Sequence, residues 1–265
     1  MNTNFDWNRF GRLVAKDFRN IWPLFGPTML VITLLPLAIW LFVSLISNPT
    51  GIEELPVFAR WCFLYGSVML TAIMAPSRLY KTCNLHHKGI YFAMLPASKL
   101  EKFLSMLLMT LVVCPLMVFC GSIVLDYILY IIPFGPYNSH LFDSVGPVLA
   151  EASRAFGEVG MDTTLLVVTL LFSSIGTAAN FFFTATIFKR HKVLYTILWL
   201  WLISFVLNII ITPLAFCGIL PEWVAKPELF VNHVHNFMAI SAAVNIAYAV
   251  GIYVWSALRL KRMTY

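Results

Sequence analysis

Charged side chains are scarce in this sequence. Only 11% of its 265 residues are Asp, Glu, Lys or Arg, while 60% are hydrophobic; a soluble chain carries about 25% charge. So little charge leaves a soluble chain of this length without the means to cover its apolar surface. Several segments also exceed the roughly 18 apolar residues that a hydrocarbon core demands. The sequence therefore reads as an integral membrane protein. Other things are missing too. None of the thirteen glycines is followed by lysine, so there is no G-x-x-x-x-G-K-[ST] loop to cradle the phosphates of ATP. Neither G-x-S-x-G nor H-E-x-x-H occurs. The cysteines number five and are scattered, four in apolar segments (Cys62, Cys114, Cys120, Cys217) and Cys83 in a polar one. An odd, dispersed set is no disulfide framework, although a Cys62–Cys217 bridge is conceivable. No cleavable signal is expected, because the first twenty residues hold Asp6, Asp17 and four bases with no A-x-A site behind the first apolar run.

What is present is a series of apolar runs. Six spans are expected, at about 26–47, 57–77, 103–132, 163–188, 193–217 and 236–258. Each has to be helical, since lipid offers no partner for open backbone groups. Pro36, Pro115 and Pro213 fall inside spans and are expected to kink them. No internal repeat or low-complexity linker divides the chain, which is read as a single transmembrane domain over 1–265.

The net charge of +6 would point to nucleic acid in a soluble protein, but here its placement matters more. The N-terminal segment has Arg9, Arg12, Lys16 and Arg19. The loop between spans two and three has Arg78, Lys81, Lys88, Lys99 and Lys102. Lys189, Arg190 and Lys192 follow span four, and Arg259, Lys261 and Arg262 end the chain. Fifteen of the eighteen bases therefore fall on one side, whereas eight of the twelve acids fall on the other. By the positive-inside rule both termini are cytoplasmic, in agreement with an even number of spans. Residues 5–22 have a second pattern. Phe10, Leu13, Val14, Asp17, Phe18 and Ile21 recur at helical spacing, opposite Arg9, Arg12, Lys16 and Arg19. That is expected of an amphipathic helix lying in the cytoplasmic interface near anionic lipid heads.

The segment YFAMLPASKLEKFLSMLL, residues 91–108, breaks the oily pattern on the cytoplasmic side. Ser98 and Glu101 have the spacing of a capping box, in which the serine oxygen accepts from the amide three residues on and the glutamate reaches back. Pro96 helps to end what precedes it. Leu100, Phe103, Leu104, Leu107, Leu108 and Leu111 then follow at helical spacing. A helix beginning near residue 98 is thus expected to run straight into the third span, and a rigid element of this kind moves as a unit. Capping alone is equally compatible with a simple turn.

The run MLPASKLEKFLSMLL resembles a segment of type-2 ABC exporter permeases, particularly small six-span ones of Bacteroidota-like bacteria. FFFTATIFKRHKVLYT, residues 181–196, is similar to their aromatic-rich fourth-span end and basic turn, and the basic N-terminus resembles their interfacial elbow helix. The resemblance implies a bacterial inner-membrane protein that works as a homodimer or heterodimer of permeases. ATP would be bound by a separate cytoplasmic ATPase, with no cofactor in this chain. It implies further that His86, His87, Lys88, Pro96, Ser98, Lys99, Glu101 and Lys102 contact that ATPase. Met106 and Tyr195 depart from the pattern, standing where relatives would carry a base. The external segment 218–235 is short for the family's re-entrant pair. The segment 133–162 is long, and its Val148, Leu149, Ala152, Phe156 and Val159 suit one face of a small external helix.

Few polar groups lie within the spans. Asp126 is the one acid there, and such a carboxylate is by default a candidate proton or cation site. Its place near the outer end of span three favours a hydrogen-bonded structural role. Asn180 and Asn208 read as interhelical hydrogen-bonding residues, and Ala239, Ala243, Ala247 and Gly251 as a face for close helix approach. Cys83, His86, His87 and His191 do not have the spacing of zinc ligands, and metal is not expected. Two readings remain beside the exporter permease: a non-transporting scaffold or sensor, and a stand-alone channel or carrier using Asp126.

Overall fold

The computed structural model describes the backbone of residues 5–47, 57–80, 94–131, 139–157, 163–188, 192–216 and 227–262. Its regular structure is entirely helical, with no strand among the described residues. The helices are α1 (Trp7–Ser47), α2 (Val57–Leu79), α3 (Lys99–Ile131), α4 (Val145–Gly157), α5 (Thr163–Ile187), α6 (Lys192–Phe216) and α7 (Pro227–Arg262). Five of them are long and apolar enough to cross a membrane among the described residues: α1, α2, α3, α5 and α7. The helix α6 has 25 residues, of which Lys192–Val206 are the apolar part described in full. A short helix falls where the long 133–162 segment was expected to place one, although Leu149 on it is exposed.

The chain divides into two compact units, Met1–Val148 with Ala257–Tyr265, and Leu149–Ser256. In the first unit α1, α2 and α3 pack against one another. Ile21, Phe25, Met29 and Ile32 of α1 meet Ala75 of α2 and Met109, Cys114 and Val118 of α3 in one buried cluster.

That cluster explains a departure from expectation. An interfacial helix at 5–22 followed by a separate span was expected, but α1 is a single helix of 41 residues. At 1.5 Å per residue it is roughly 60 Å long, about twice the hydrocarbon thickness. Pro23 and Pro27 each remove a helical hydrogen bond, and yet the helix continues. The reason is the buried stripe Leu13, Ile21, Phe25, Met29, Ile32, which runs on one face across both prolines and is packed throughout. Arg12, Lys16 and Arg19 are exposed opposite it, as their pattern indicated.

The helix α3 contains a wider turn. Residues Met109–Val113 form a π-helical segment, in which the amide of Cys114 bonds to the carbonyl of Met109 five residues back. Pro115 follows at once and has no N–H to give. The wide turn lies one residue before that missing donor, and such bulges are a usual way of accommodating it.

The first turns of α3 face the opposite way from a soluble amphipathic helix. Glu101, Lys102, Ser105, Met106, Met109 and Thr110 are buried, whereas Leu100 and Leu104 are exposed. The packed face takes polar groups because α1 supplies their partners, the Asp6 amide and Arg9 for Glu101 and Asp17 for Ser105.

Candidate functional site

Three polar centres stand out among the described residues. The first joins the beginnings of α1 and α3. Ser98 is extended, and its hydroxyl accepts from the amide of Glu101 at 3.1 Å, while the amide of Ser98 donates to Glu101 Oε2 at 2.7 Å. The expected capping box is therefore formed in full. Glu101 does more than cap. Its Oε1 also accepts from the amide of Asp6 at 2.9 Å and from Arg9 Nη2 at 3.2 Å, with the side chain wholly buried. One turn further along, Ser105 Oγ donates to Asp17 Oδ2 at 2.7 Å. The start of α3 is thus bolted to two places on α1, and a force on one helix is carried to the other.

Of the eight residues expected at an ATPase contact, His86, His87 and Lys88 lie outside the described residues. Pro96 and Lys99 are exposed, and Ser98 is half-buried. Glu101 and Lys102 are buried, so the fold itself occupies them. Met94, which sequence reasoning did not single out, is 73% exposed just ahead of the cap. The exposed surface of this junction is therefore Met94, Pro96, Lys99 and Leu100.

The second centre lies at the far end of α3. Asp126 Oδ1 accepts from Nε of Arg60 at 3.0 Å and also from its Nη2, while Asp126 Oδ2 accepts from the amide of Leu141 at 3.2 Å. Arg60 Nη1 donates to the carbonyl of Ser139 at 3.0 Å, and its neighbour Trp61 donates to Ser144 Oγ at 3.4 Å. The side chains of Arg60 and Asp126 are only 4% and 12% exposed. His140 stacks on Tyr127 of α3 and lies tilted against Tyr130, with ring centroids 5.3 and 4.0 Å away. Residues 139–144 are thereby pinned over the ends of α2 and α3. The hydrogen-bonded structural role favoured for Asp126 is what the geometry displays.

Arg60 is one of the three bases that fall outside the basic side of the chain, and the sequence reading did not pair it with Asp126. A signal existed: spans two and three run antiparallel, Arg60 is three residues into one and Asp126 six from the end of the other. Both therefore sit at similar depth, where two opposite charges are far cheaper together than apart.

The third centre is in the second unit. Tyr248 donates to Asn180 Oδ1 at 2.6 Å, an interhelical bond between α7 and α5, and Asn180 Nδ2 donates to the carbonyl of Gly176 at 3.0 Å. A Cβ on Gly176 would lie 3.3 Å from Asn245 Oδ1, so glycine permits this approach. The hydroxyls of Thr184 and Thr196 bond to each other between α5 and α6. Asn208 lies within α6, but its side chain is outside the described residues. Ala242, Ala249, Ile252 and Ser256 of α7 are buried, whereas Ala239, Ala243, Ala247 and Gly251 are exposed. The expected small-residue stripe therefore faces away from the helix's packed side.

No group of three or more His, Cys, Asp or Glu that could hold a metal occurs among the described residues. Cys83, His86, His87 and His191 lie outside them. Compared with protein-family models, with curated proteins and with solved structures, the chain matches none.

Proposed function

We propose that the chain is the membrane-spanning permease subunit of an ATP-driven exporter, with six spans and both termini in the cytoplasm of a bacterial inner membrane. The helix α6 supplies the sixth span. A separate cytoplasmic ATPase binds and hydrolyses ATP, and two permease subunits form the path. The observation that carries this reading is the bolted start of α3. A push on residues 94–101 cannot be absorbed locally, because Glu101 ties the cap to α1 and α3 continues from it for 33 residues. Such a lever is what coupling to an external motor requires. The basic N-terminal helix and the clustered cytoplasmic bases agree with it, and the outward small-residue stripe of α7 offers a close-packing face to a second copy.

In this reading, closure of the ATPases tilts α1 and α3 together and opens the path alternately to either side. The carrier alternative, with Asp126 as the coupling group, is weakened because that carboxylate is taken up by Arg60 and the Leu141 amide. The scaffold alternative shares the lever, and solute-dependent ATP hydrolysis separates it from export. Purification of the chain from its native membranes tests the proposal. An ATP-hydrolysing subunit is expected to co-elute and to be lost on Lys99→Glu. Elution without any ATP-binding protein refutes it.

A further inference from the structure

The helix α4 has an apolar stripe that the rest of the chain leaves uncovered. Phe142, in the turn that leads into it, is followed at three and then four residues by Val145 and Leu149, and all three are exposed. Glu151 and Arg154 are exposed as well, and helical register puts them on other sides of α4. At 13 residues the helix is roughly 20 Å long, too short to cross a bilayer.

Hydrogen bonds fix the depth at which this stripe begins. Leu141 gives its amide to Asp126 Oδ2 at 3.2 Å, and Asp126 lies five residues before the end of α3 at Ile131. At 1.5 Å per residue, the chain has come back about 7–8 Å from that end. Ser144 Oγ, just ahead of α4, accepts from Trp61, which lies four residues after the start of α2 at Val57. Two separate bonds thus set the start of α4 level with the end turns of two membrane-spanning helices. Tyr127 and Tyr130 are exposed in those same turns of α3, and tyrosine collects where hydrocarbon meets water.

The surroundings of α4 follow from that level. Phe142 and Val145 are at the height where α2 and α3 are themselves wrapped by lipid. An interfacial helix buries its apolar face about 5–10 Å into the boundary between head groups and acyl chains, and the return of the chain matches this. A protein partner fits less well. Three apolar side chains fall far short of the roughly 20–30 residues that a specific protein interface takes from each side. Asp143, Glu151 and Arg154 do not make a basic face, so anionic lipid is not required.

We propose that α4 lies in the bilayer surface at the end of the bundle opposite the α3 cap, with Phe142, Val145 and Leu149 among the upper acyl chains. The inference rests on the chain lying in a membrane and is independent of the exporter reading. An ATPase partner and a lipid-seated α4 can each be present without the other.

Photo-cross-linking of the full chain in phosphatidylcholine vesicles tests it, with benzoylphenylalanine placed at Leu149 or, separately, at Glu151. Intact mass should show a phosphatidylcholine adduct from position 149 and its loss at position 151. Equal lipid adducts from the two positions, no lipid adduct from 149, or an adduct there with a second copy of the chain overturns the proposal. A second measurement needs no variant. Phosphatidylcholine with a diazirine at the top of its acyl chain should label residues 142–149 as well as the spans, and labelling confined to the spans overturns the proposal equally.

Discussion

Arg9 in the first turn of α1 donates to Glu101 in the first turn of α3 at 3.2 Å, across 92 positions of sequence. The contact makes one rigid corner of two long helices, and its energetics can be measured. Glu101→Ala leaves the amides of Asp6 and Ser98 without their acceptor and removes the capping box. About 2–4 kcal/mol should be lost, from the cap and the shielded donors together. Ser98→Ala removes only one capping bond and should cost about 1 kcal/mol. Thermal unfolding in detergent should rank the wild type above Ser98→Ala and Ser98→Ala above Glu101→Ala; a Glu101→Ala chain as stable as the wild type would show that the corner bears no load.

The pair Arg60–Asp126 should behave as a buried ion pair. Asp126→Ala takes from the buried Arg60 its carboxylate partner and should destabilise by about 3–5 kcal/mol, whereas Arg60→Met with Asp126→Leu should cost far less. Unfolding of both single variants and the double variant forms a cycle. Additive losses would mean that the two residues do not depend on each other.

Tyr248 and Asn180 should couple weakly, as interhelical hydrogen bonds in membranes do, at about 0.6 kcal/mol and no more than about 1.7. The cycle of Tyr248→Phe and Asn180→Ala measures this. Gly176→Val, by contrast, should cost about 1–3 kcal/mol as an overpacked contact, because its Cβ would come within 3.3 Å of Asn245 Oδ1 and that side chain has to give way. A Gly176→Val chain as stable as the wild type would show that α5 and α7 have room to spare.

Much of the helical layout was legible because long apolar runs and capping chemistry are local signals. Ser98 and Glu101 announced their box three residues apart, and α2, α3 and α5 begin and end within a few residues of the apolar runs. What was illegible depends on packing. Continuity of α1 through Pro23 and Pro27 is decided by the partners that bury Phe25 and Met29, which no local rule reveals. The leucine spacing of α3 marked a helix correctly but marked its outward face, since the buried stripe is Glu101, Ser105, Met109. In a membrane, hydrophobic periodicity reports lipid as readily as core. The partner of Asp126 was missed because Arg60 was counted only by the side of the membrane it falls on, when its depth in span two matched that of Asp126.

The account depends most on residues 94–101 being a cytoplasmic docking surface. A photo-cross-linking amino acid at Lys99, irradiated in intact native cells, reads this directly. The expected product is a covalent adduct with an ATP-binding protein, absent when the same probe replaces Phe142 at the other end of the bundle. If position 99 captures no ATP-binding protein, or is modified by a membrane-impermeant reagent applied outside the cell, the exporter reading is wrong.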